Sequence, residues 1–269
     1  MHFTFDHVVH YMNEPKQAIP FLKEQGIHAV MGGKHPDLGS YNILSYFDLS
    51  YIEFFGVEDK EVFTKINHLP HTLMQSIIND DFAEGFSRLV VSTNDIKRAA
   101  AHFKAEGLTV NGPMKRARKR PDGSEVTWQL LYVGTDDATL EMPYIIQWDE
   151  AEEERKDELT SKGIIAPHEE DYLLKEVLLA VHDVDETVRK WIRLLKLEEL
   201  GESFVDDALQ ARCRKLSLPG GNLQFCSPID EGIVSSVLAT RGEKIFQVNL
   251  SGGKEKGLFE LANGRYEKK

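Results

Sequence analysis

The chain has 269 residues, a length typical of one large domain or two ordinary ones. Hydrophobic residues make up 41% of it and charged residues 28%, a balance that excludes collagen-like, low-complexity and globally disordered proteins. Asp and Glu number 44 against 32 Lys and Arg. The resulting formal net charge of -12 argues against nucleic acid as a partner but leaves room for a local anion site.

Cysteine content and the N-terminal sequence bear on the cellular compartment. The two cysteines, Cys213 and Cys226, do not form a CxxC pair, so we expect neither a disulfide framework nor a thiolate zinc site. The first residues lack the basic region and apolar run of a secretory signal, and no apolar window reaches the length of a membrane span. These features predict a cytoplasmic protein in a reducing environment, with no membrane partner.

The chain begins with a strand, a helix and three further strands. Phe5-Asp6-His7-Val8-Val9 has the pattern of an apolar strand, and the helix that follows it ends at Gly26. Extended stretches then lead to a closing strand at Tyr51-Ile52-Glu53-Phe54-Phe55. Strand alternation predicts that His7 shares one face of the first strand with Phe5 and Val9. Residues 1–57 are therefore predicted to form one βαβββ unit.

The same order of elements recurs twice. A helical connector at 58–84 leads to a second unit at 85–148, in which Asn13 and Gly26 shift by the same 81 residues to Asn94 and Gly107. A third, weaker copy covers 172–269. Such self-similarity predicts an α+β fold of tandem βαβββ units with a third accessory unit.

Two charged segments lie outside the repeats. Residues 149–171 contain ten Asp or Glu against three Lys or Arg, which is typical of a solvated linker between the second and third units. The polar tail, Asn263–Lys269, is expected to fray.

Ionisable residues recur among apolar neighbours in the first two units. His7 and Glu53 lie in the opening and closing strands of the first unit, and Arg88 and Glu141 take the matching places in the second. Because burying an unpaired charge is costly, these side chains should contact one another, a metal ion or a ligand. We therefore predict that the four converge in a cavity between the units.

This arrangement resembles the glyoxalase-like family of the vicinal oxygen chelate superfamily (glyoxalase, bleomycin resistance and extradiol dioxygenase proteins). The resemblance rests on the motifs at 5–9 and 51–54, and it extends through Gly32-Gly33-Lys34-His35-Pro36 and Arg120-Pro121-Asp122-Gly123. It covers the first two units well and the third more weakly. It implies paired half-barrels around a divalent metal that chelates substrate oxygens, with lyase, isomerase or dioxygenase activity.

Carried over to this chain, the resemblance implies that His7, Glu53 and Glu141 hold a metal such as Zn, Mn, Fe or Ni. The fourth ligand position holds Arg88, and a guanidinium has no lone pair for a metal. Three alternatives follow: a metal held by three ligands, a metal-free cavity in which Arg88 supplies the positive charge, and a purely structural ion network. In an enzyme, Glu141 is the expected base and the metal or Arg88 stabilises an enediolate-like charge.

The stretch Met114-Lys115-Arg116-Ala117-Arg118-Lys119-Arg120 places five basic residues in an acidic chain. As an extended strand it would direct Arg116, Arg118 and Arg120 to one face, which predicts binding of a carboxylate or phosphate. The alternative is an exposed edge whose charges prevent aggregation. Trp128 is expected to pack beside this strip as an aromatic wall.

The sequence therefore predicts binding or transformation of a small, oxygen-rich, anionic molecule between the first two units. His35 and Asn42, in and after the Gly-rich segment, complete the expected substrate-binding residues. The rival hypothesis is a non-catalytic protein that binds or sequesters a small molecule on the same scaffold without metal. The third unit, with Glu176 and Gln224 at ligand-like places, is expected to pack against the first two units or against a second copy in a homodimer.

Overall fold

The computed structural model describes residues 1–66, 68–119, 125–136 and 139–269. Within them the chain forms two mixed β-sheets of eight strands each, which we call sheet A and sheet B, with helices packed on them. The predicted α+β architecture of tandem βαβββ units is confirmed. None of the helices in these ranges is long and apolar enough to cross a membrane.

The first unit and the connector occupy the N-terminal part of sheet A. Their elements are β1 (Phe3–Tyr11), α1 (Ala18–Glu24), β2 (Val30–His35), β3 (Ser40–Phe47), β4 (Ser50–Val57), α2 (Lys60–Lys65) and α3 (Leu73–Asn79). Each connector helix is preceded by a residue whose side chain accepts a hydrogen bond from a backbone N–H in the first turn. Asp59 accepts from Val62 N at 3.0 Å, and Thr72 accepts from Gln75 N at 3.3 Å. Such caps satisfy N–H groups that have no partner inside a helix.

The second unit completes sheet A. Its elements are β5 (Gly85–Thr93), α4 (Ile96–Ala105), β6 (Thr109–Lys119), β7 (Glu125–Gly134) and β8 (Tyr144–Trp148). The sequence pattern placed Glu141 in the closing strand of this unit, and that prediction is wrong. The strand begins three residues later, at Tyr144.

Sheet A has the strand order β2-β3-β4-β1-β5-β8-β7-β6, so the two units meet where β1 pairs with β5. This pairing is antiparallel, with Val8 opposite Leu89. In the first unit Val9 pairs with Glu53 of β4, and in the second Val90 pairs with Tyr144 of β8, both in parallel. The two units are thus related by a local twofold arrangement, and Tyr144 is the counterpart of Glu53.

Sheet B is formed by the region predicted as the third unit, residues 172–269. The remaining elements are α5 (Glu152–Ser161), β9 (Leu173–Ala180), α6 (Val184–Leu195), β10 (Glu198–Glu199), β11 (Phe204–Asp206), β12 (Ala211–Ser217), β13 (Asn222–Pro228), α7 (Ile233–Arg241), β14 (Lys244–Ser251), β15 (Gly257–Leu261) and β16 (Gly264–Lys268). The expectation that Asn263–Lys269 frays is wrong, since β16 pairs with β14 and places Tyr266 opposite Val248. Backbone pairing in the sheet outweighs the polar composition of this segment.

One continuous apolar core joins the two sheets and buries the apolar faces of α1, α4 and α6, for example Leu22, Phe103 and Trp191. The opposite face of sheet A forms a second apolar cluster with α2 and α3, to which Val9 and Tyr132 belong. We call this second surface the site face. Burial of both faces explains the nearly continuous apolar character of β1 and β5.

A β-bulge at Asp6 interrupts the alternation of β1. Across the pairing with β5, Phe5 lies opposite Val91 and His7 opposite Val90, so Asp6 is an extra residue in its strand. Phe5 therefore packs in the core between the sheets, and the predicted sharing of one face by Phe5 and His7 is wrong. The bulge turns His7 toward the site face and keeps Asp6 beside it.

Candidate functional site on the site face of sheet A

His7 is the centre of a buried polar cluster on the site face. Its Nδ1 lies 2.6 Å from Asp6 Oδ1, and its Nε2 lies 3.2 Å from Tyr144 Oη and 3.4 Å from Glu53 Oε2. The imidazole also stacks on the Tyr51 ring at 4.4 Å between centroids. Both ring nitrogens thus face hydrogen-bonding partners, and the ring is held between carboxylates and aromatic walls.

The charges of this cluster stabilise one another. Burial by itself would lower the pKa of His7, but hydrogen bonds to Asp6 and Glu53 outweigh it and raise that pKa above its ordinary value of 6.5. Burial by itself would raise the pKa of both carboxyls, and the interactions with His7 hold the pKa of each below its usual range. The three groups thus favour one another's charged forms.

Asn42 connects Glu53 to the Gly-rich segment of the first unit. Its Nδ2 donates to Glu53 Oε1 at 2.5 Å, and its Oδ1 accepts from Gly33 N at 2.6 Å. A Cβ on Gly32 would overlap Asn42 Oδ1, so the close approach of β2 requires glycine there. The charge of His35, at the end of β2, also contributes to the low pKa of Glu53.

Three buried tyrosines surround the cluster. Burial raises the pKa of Tyr51 and of Tyr144 well above 10, and raises that of Tyr132 to about 12. All three therefore remain neutral phenols that donate hydrogen bonds. Such donors are suited to a ligand oxygen that carries partial negative charge.

Arg88 and Glu141 lie together but apart from His7. The Arg88 guanidinium is 1% exposed and donates from Nη1 to His71 O and Ser76 Oγ, both at 2.9 Å, and from Nη2 to Met142 O at 2.7 Å. Its Nη1 lies 3.3 Å from Glu141 Oε1. These residues line a cavity of about 590 Å³ at the junction of the two sheets. The four ionisable residues of the sequence prediction thus divide into two pairs.

Arg88 lies on the site face and contacts the His7 cluster through an aromatic ring. Val8 and Leu89 lie opposite each other where the two units meet. Arg88 precedes Leu89 as His7 precedes Val8, so Arg88 is the counterpart of His7. Its guanidinium carbon lies 5.7 Å from the centre of the Tyr144 ring. Arg88 therefore contacts the cluster through an aromatic ring and shares no hydrogen bond with His7.

The residues present do not fit the metal that the resemblance implied. Within the ranges that the structure describes, no group of three His, Cys, Asp or Glu is arranged to hold a metal ion. Glu141 is bonded to Ser76 and Arg88 instead of lying beside His7 and Glu53, so the three implied ligands are not brought together. Tyr144 stands where the prediction placed a second carboxylate.

The basic strip forms most of β6, at an edge of sheet A. Arg116 is exposed and pairs across the ladder with Trp128, and its charge acts on the buried Tyr132. Trp128 is half-buried and packs against the cluster of the site face. These two residues thus form part of the rim. The side chain of Arg118 and the whole of Arg120 lie outside the described residues.

Sequence reasoning missed Asp6 and Tyr144, which both contact His7. The bulge that brings Asp6 to the site face arises from the pairing of β1 with β5 and leaves no mark in the sequence of β1. Tyr144 could have been found from the sequence. If the closing strand of the second unit had been placed to end at Trp148, instead of around Glu141, Tyr144 would have aligned with Glu53 of the first unit.

The positions of sheet B that correspond to the His7 cluster and Arg88 of sheet A carry different side chains. Leu178 pairs with Gln224 and Gln247, as Val9 pairs with Glu53 and Arg88 in sheet A. Glu176, the counterpart of His7, accepts from Lys215 Nζ at 2.7 Å and from Asn249 Nδ2 at 3.0 Å. The lysine neutralises the buried carboxylate, so these positions form a closed structural network.

Comparison with known proteins identifies the family. A family model described as a glyoxalase-like domain matches residues 5–195. The chain belongs to this glyoxalase-like family. The predicted membership of the glyoxalase-like family is thereby confirmed. No curated protein sequence matches the chain.

Solved structures share the fold of this glyoxalase-like protein. A hypothetical protein from Staphylococcus aureus superposes with a TM-score of 0.81 at 21% identity, over 99% of each chain. A triple mutant of 4-hydroxymandelate synthase from Streptomyces coelicolor superposes with a TM-score of 0.59 at 10% identity, over 93% of this chain and 71% of that one. At these identities the similarity establishes the arrangement of strands and helices alone.

Proposed function

We propose that this glyoxalase-like protein binds a small, oxygen-rich, anionic molecule on the site face of sheet A and transforms it by proton transfer without a metal ion. One observation carries the proposal: His7 Nε2 lies 3.4 Å from the Glu53 carboxylate and 3.2 Å from the Tyr144 phenol. A cationic donor, a carboxylate and a neutral hydroxyl thus occupy one small volume, in strands that pack rigidly on the core.

The proposed step is removal of a proton from a carbon next to a carbonyl group. Glu53 accepts the proton, the C–H bond breaks, and its electron pair moves onto the carbonyl oxygen to give an enediolate-like anion. The N–H of His7 and the O–H of Tyr144 donate to that oxygen and stabilise the charge. Arg88 positions the Tyr144 ring by packing against it, and Glu141 fixes Arg88.

The side chains at the rim of the site face support the proposal that the ligand is negatively charged. Arg116 is exposed at the edge of the site face, and Trp128 is half-buried beside it. A guanidinium recognises a carboxylate or phosphate, and an indole supplies an apolar wall. The ligand would lie with its anionic end toward Arg116 and its reacting carbon toward Glu53.

A second candidate function is binding without catalysis. It is favoured by the low pKa of Glu53, which His7 and Asn42 hold below its usual range although burial opposes them. A carboxylate with a low pKa is a weak base, so the same cluster would hold an oxygen-rich ligand without removing a proton. The two functions share one binding site and differ in whether a C–H bond breaks.

Deuterium exchange separates the two functions. The protein, purified in the presence of a chelator, is incubated in D₂O with a panel of 2-oxo and 2-hydroxy carboxylates. NMR follows loss of the C–H signal on the carbon next to the carbonyl group, which is C3 in the 2-oxo acids and the hydroxyl-bearing C2 in the 2-hydroxy acids. Catalysis predicts exchange that Glu53→Gln abolishes and Glu58→Gln, an exposed residue just beyond β4, leaves intact. Saturable binding without exchange would establish the second function, and neither binding nor exchange would contradict both.

A further inference from the structure

Helix α5, in the acidic interval 149–171, packs beside the His7 cluster. Three apolar side chains at and just beyond its C-terminal end pack on the apolar and aromatic residues around Tyr51: Leu159, Ile164 and Ile165. Tyr51 is the ring that stacks on His7. These contacts hold α5 in place without involving Arg155, so we expect the helix to stay docked when Arg155 alone is changed.

Arg155 is the buried residue of α5, and it lies against Trp148 at the end of β8. Its side chain is 6% exposed, and its guanidinium carbon lies 4.5 Å from the centre of the Trp148 ring. A cation over the face of an indole is attracted by the ring quadrupole, most strongly where water is excluded. Arg155 therefore holds the indole and brings a buried positive charge to this side of the site.

Asp6 connects Trp148 to His7. Its Oδ2 accepts from Trp148 Nε1 at 2.8 Å, and its Oδ1 lies 2.6 Å from His7 Nδ1. Burial by itself would raise the pKa of Asp6, but the interactions with His7, the charge of Arg155 and the Trp148 bond together lower that pKa below its ordinary value of 3.8. Three contacts thus join Arg155 to the imidazole whose other nitrogen faces the site of the proposed reaction.

We propose that Arg155 is a positioning residue for the proton transfer at Glu53, a role that rests on the function proposed above. The indole that Arg155 holds fixes one oxygen of Asp6, so the other oxygen fixes the His7 ring with its Nε2 toward the ligand. The buried guanidinium also offsets the negative charge of Asp6, which would otherwise oppose an enediolate-like anion nearby. Arg155 acts through these groups and makes no contact with the ligand.

The first test is the deuterium-exchange assay on variants of the full chain. Arg155→Met removes the charge and keeps an apolar side chain of similar length, so we expect kcat for exchange to fall about threefold to tenfold with KM little changed. Arg155→Lys keeps a cation over the indole and should restore most of this loss. Lys156→Met is the matched control, because its exposed pair with Asp48 contributes little, and should behave as the wild type does. An unchanged kcat in Arg155→Met, or an equal loss in Arg155→Lys, would overturn the proposal.

The second test needs no ligand. NMR at neutral pH records the imidazole nitrogen signals of His7, which we expect to shift in Arg155→Met and to stay near their wild-type positions in Arg155→Lys and Lys156→Met. Trp148→Phe keeps an aromatic ring but removes the donor to Asp6, so it should shift these signals even if Arg155→Met fails to fold. Unchanged His7 signals in Arg155→Met or in Trp148→Phe would overturn the role of Arg155. Shifted signals together with a wild type that catalyses no exchange would support the coupling of Arg155 to His7 and contradict the proton transfer alone.

Discussion

Asp6 and His7 are adjacent in the chain, and a β-bulge lets their side chains hydrogen-bond at 2.6 Å on the same side of a strand. Regular alternation would direct them to opposite faces. We therefore expect Asp6→Asn to lower the pKa of His7, because it removes a buried negative charge while keeping the side-chain shape. NMR titration of the His7 ring measures this change. Asp37→Asn, in the turn after β2, serves as the control, and an unchanged His7 pKa in Asp6→Asn would contradict the assignment.

The same cluster predicts how stability depends on pH. The pKa of His7 is raised, so its stabilising contribution is complete below 6.5 and is lost as pH rises through the folded-state value. The carboxyls of Asp6 and Glu53 have lowered pKa values, so their contributions are present above 3.8 and 4.5 and are lost as pH falls. Chemical denaturation of the wild type should show both slopes. Asp6→Asn should reduce both, and identical profiles would count against the cluster.

His10 predicts a separate loss of stability in acid. It is buried where the sheets meet, with Nδ1 2.5 Å from Tyr266 Oη and Nε2 2.9 Å from Ala262 O, and burial lowers its pKa from 6.5 to about 4. Because the unfolded chain takes up this proton first, stability falls between pH 6.5 and 4, by about 3 kcal/mol. Urea denaturation across this range measures the slope. His10→Gln should flatten it, whereas His2→Gln, which is exposed, should not.

Arg88 predicts a large effect on stability. Arg88→Met removes the donors to His71 O and Met142 O and leaves the partly buried Glu141 without its guanidinium partner. We expect a loss of about 3 to 5 kcal/mol in the free energy of unfolding. Denaturant titration measures it, with the exposed Arg98→Met as a control that should change stability little. A loss as small as that of the control would show that the buried interactions of Arg88 are weak.

Arg116 predicts a charge effect on binding. For the carboxylate that binds tightest in the exchange panel, Arg116→Ala should reduce affinity about threefold to tenfold at low salt, and the difference should shrink as salt is added. Lys115→Ala is the matched control, because this neighbour in β6 points to the other face of the sheet. Equal effects of the two changes would assign β6 to edge protection instead of ligand binding.

The fold was largely predictable because the repeat is visible in the sequence. The shared offset of Asn13 and Gly26 to Asn94 and Gly107 reflects helix starts and stops, which depend on local chemistry. The site was less predictable. Glu141 fits the pattern of a strand residue, but its position depends on where β8 begins, and the loop before that strand has no local signal.

Arg155 shows a different limit of sequence reasoning. The acidic interval 149–171 has the composition of a solvated linker, and most of α5 is exposed as that composition predicts. Arg155 alone within this helix is buried, because α5 packs on Trp148 and the end of sheet A. Net charge describes a segment as a whole and cannot identify the one side chain that tertiary packing turns inward.

The contact of His10 with Tyr266 also constrains how the chain folds. It joins residues 256 apart, whereas each sheet is built from one continuous stretch of chain. Closing so long a loop has a high entropic cost until both sheets have formed, so this contact belongs to the final step, in which one preformed sheet docks on the other. The neutral imidazole between the sheets therefore makes docking a proton-dependent event, and refolding should slow at acidic pH at its last phase.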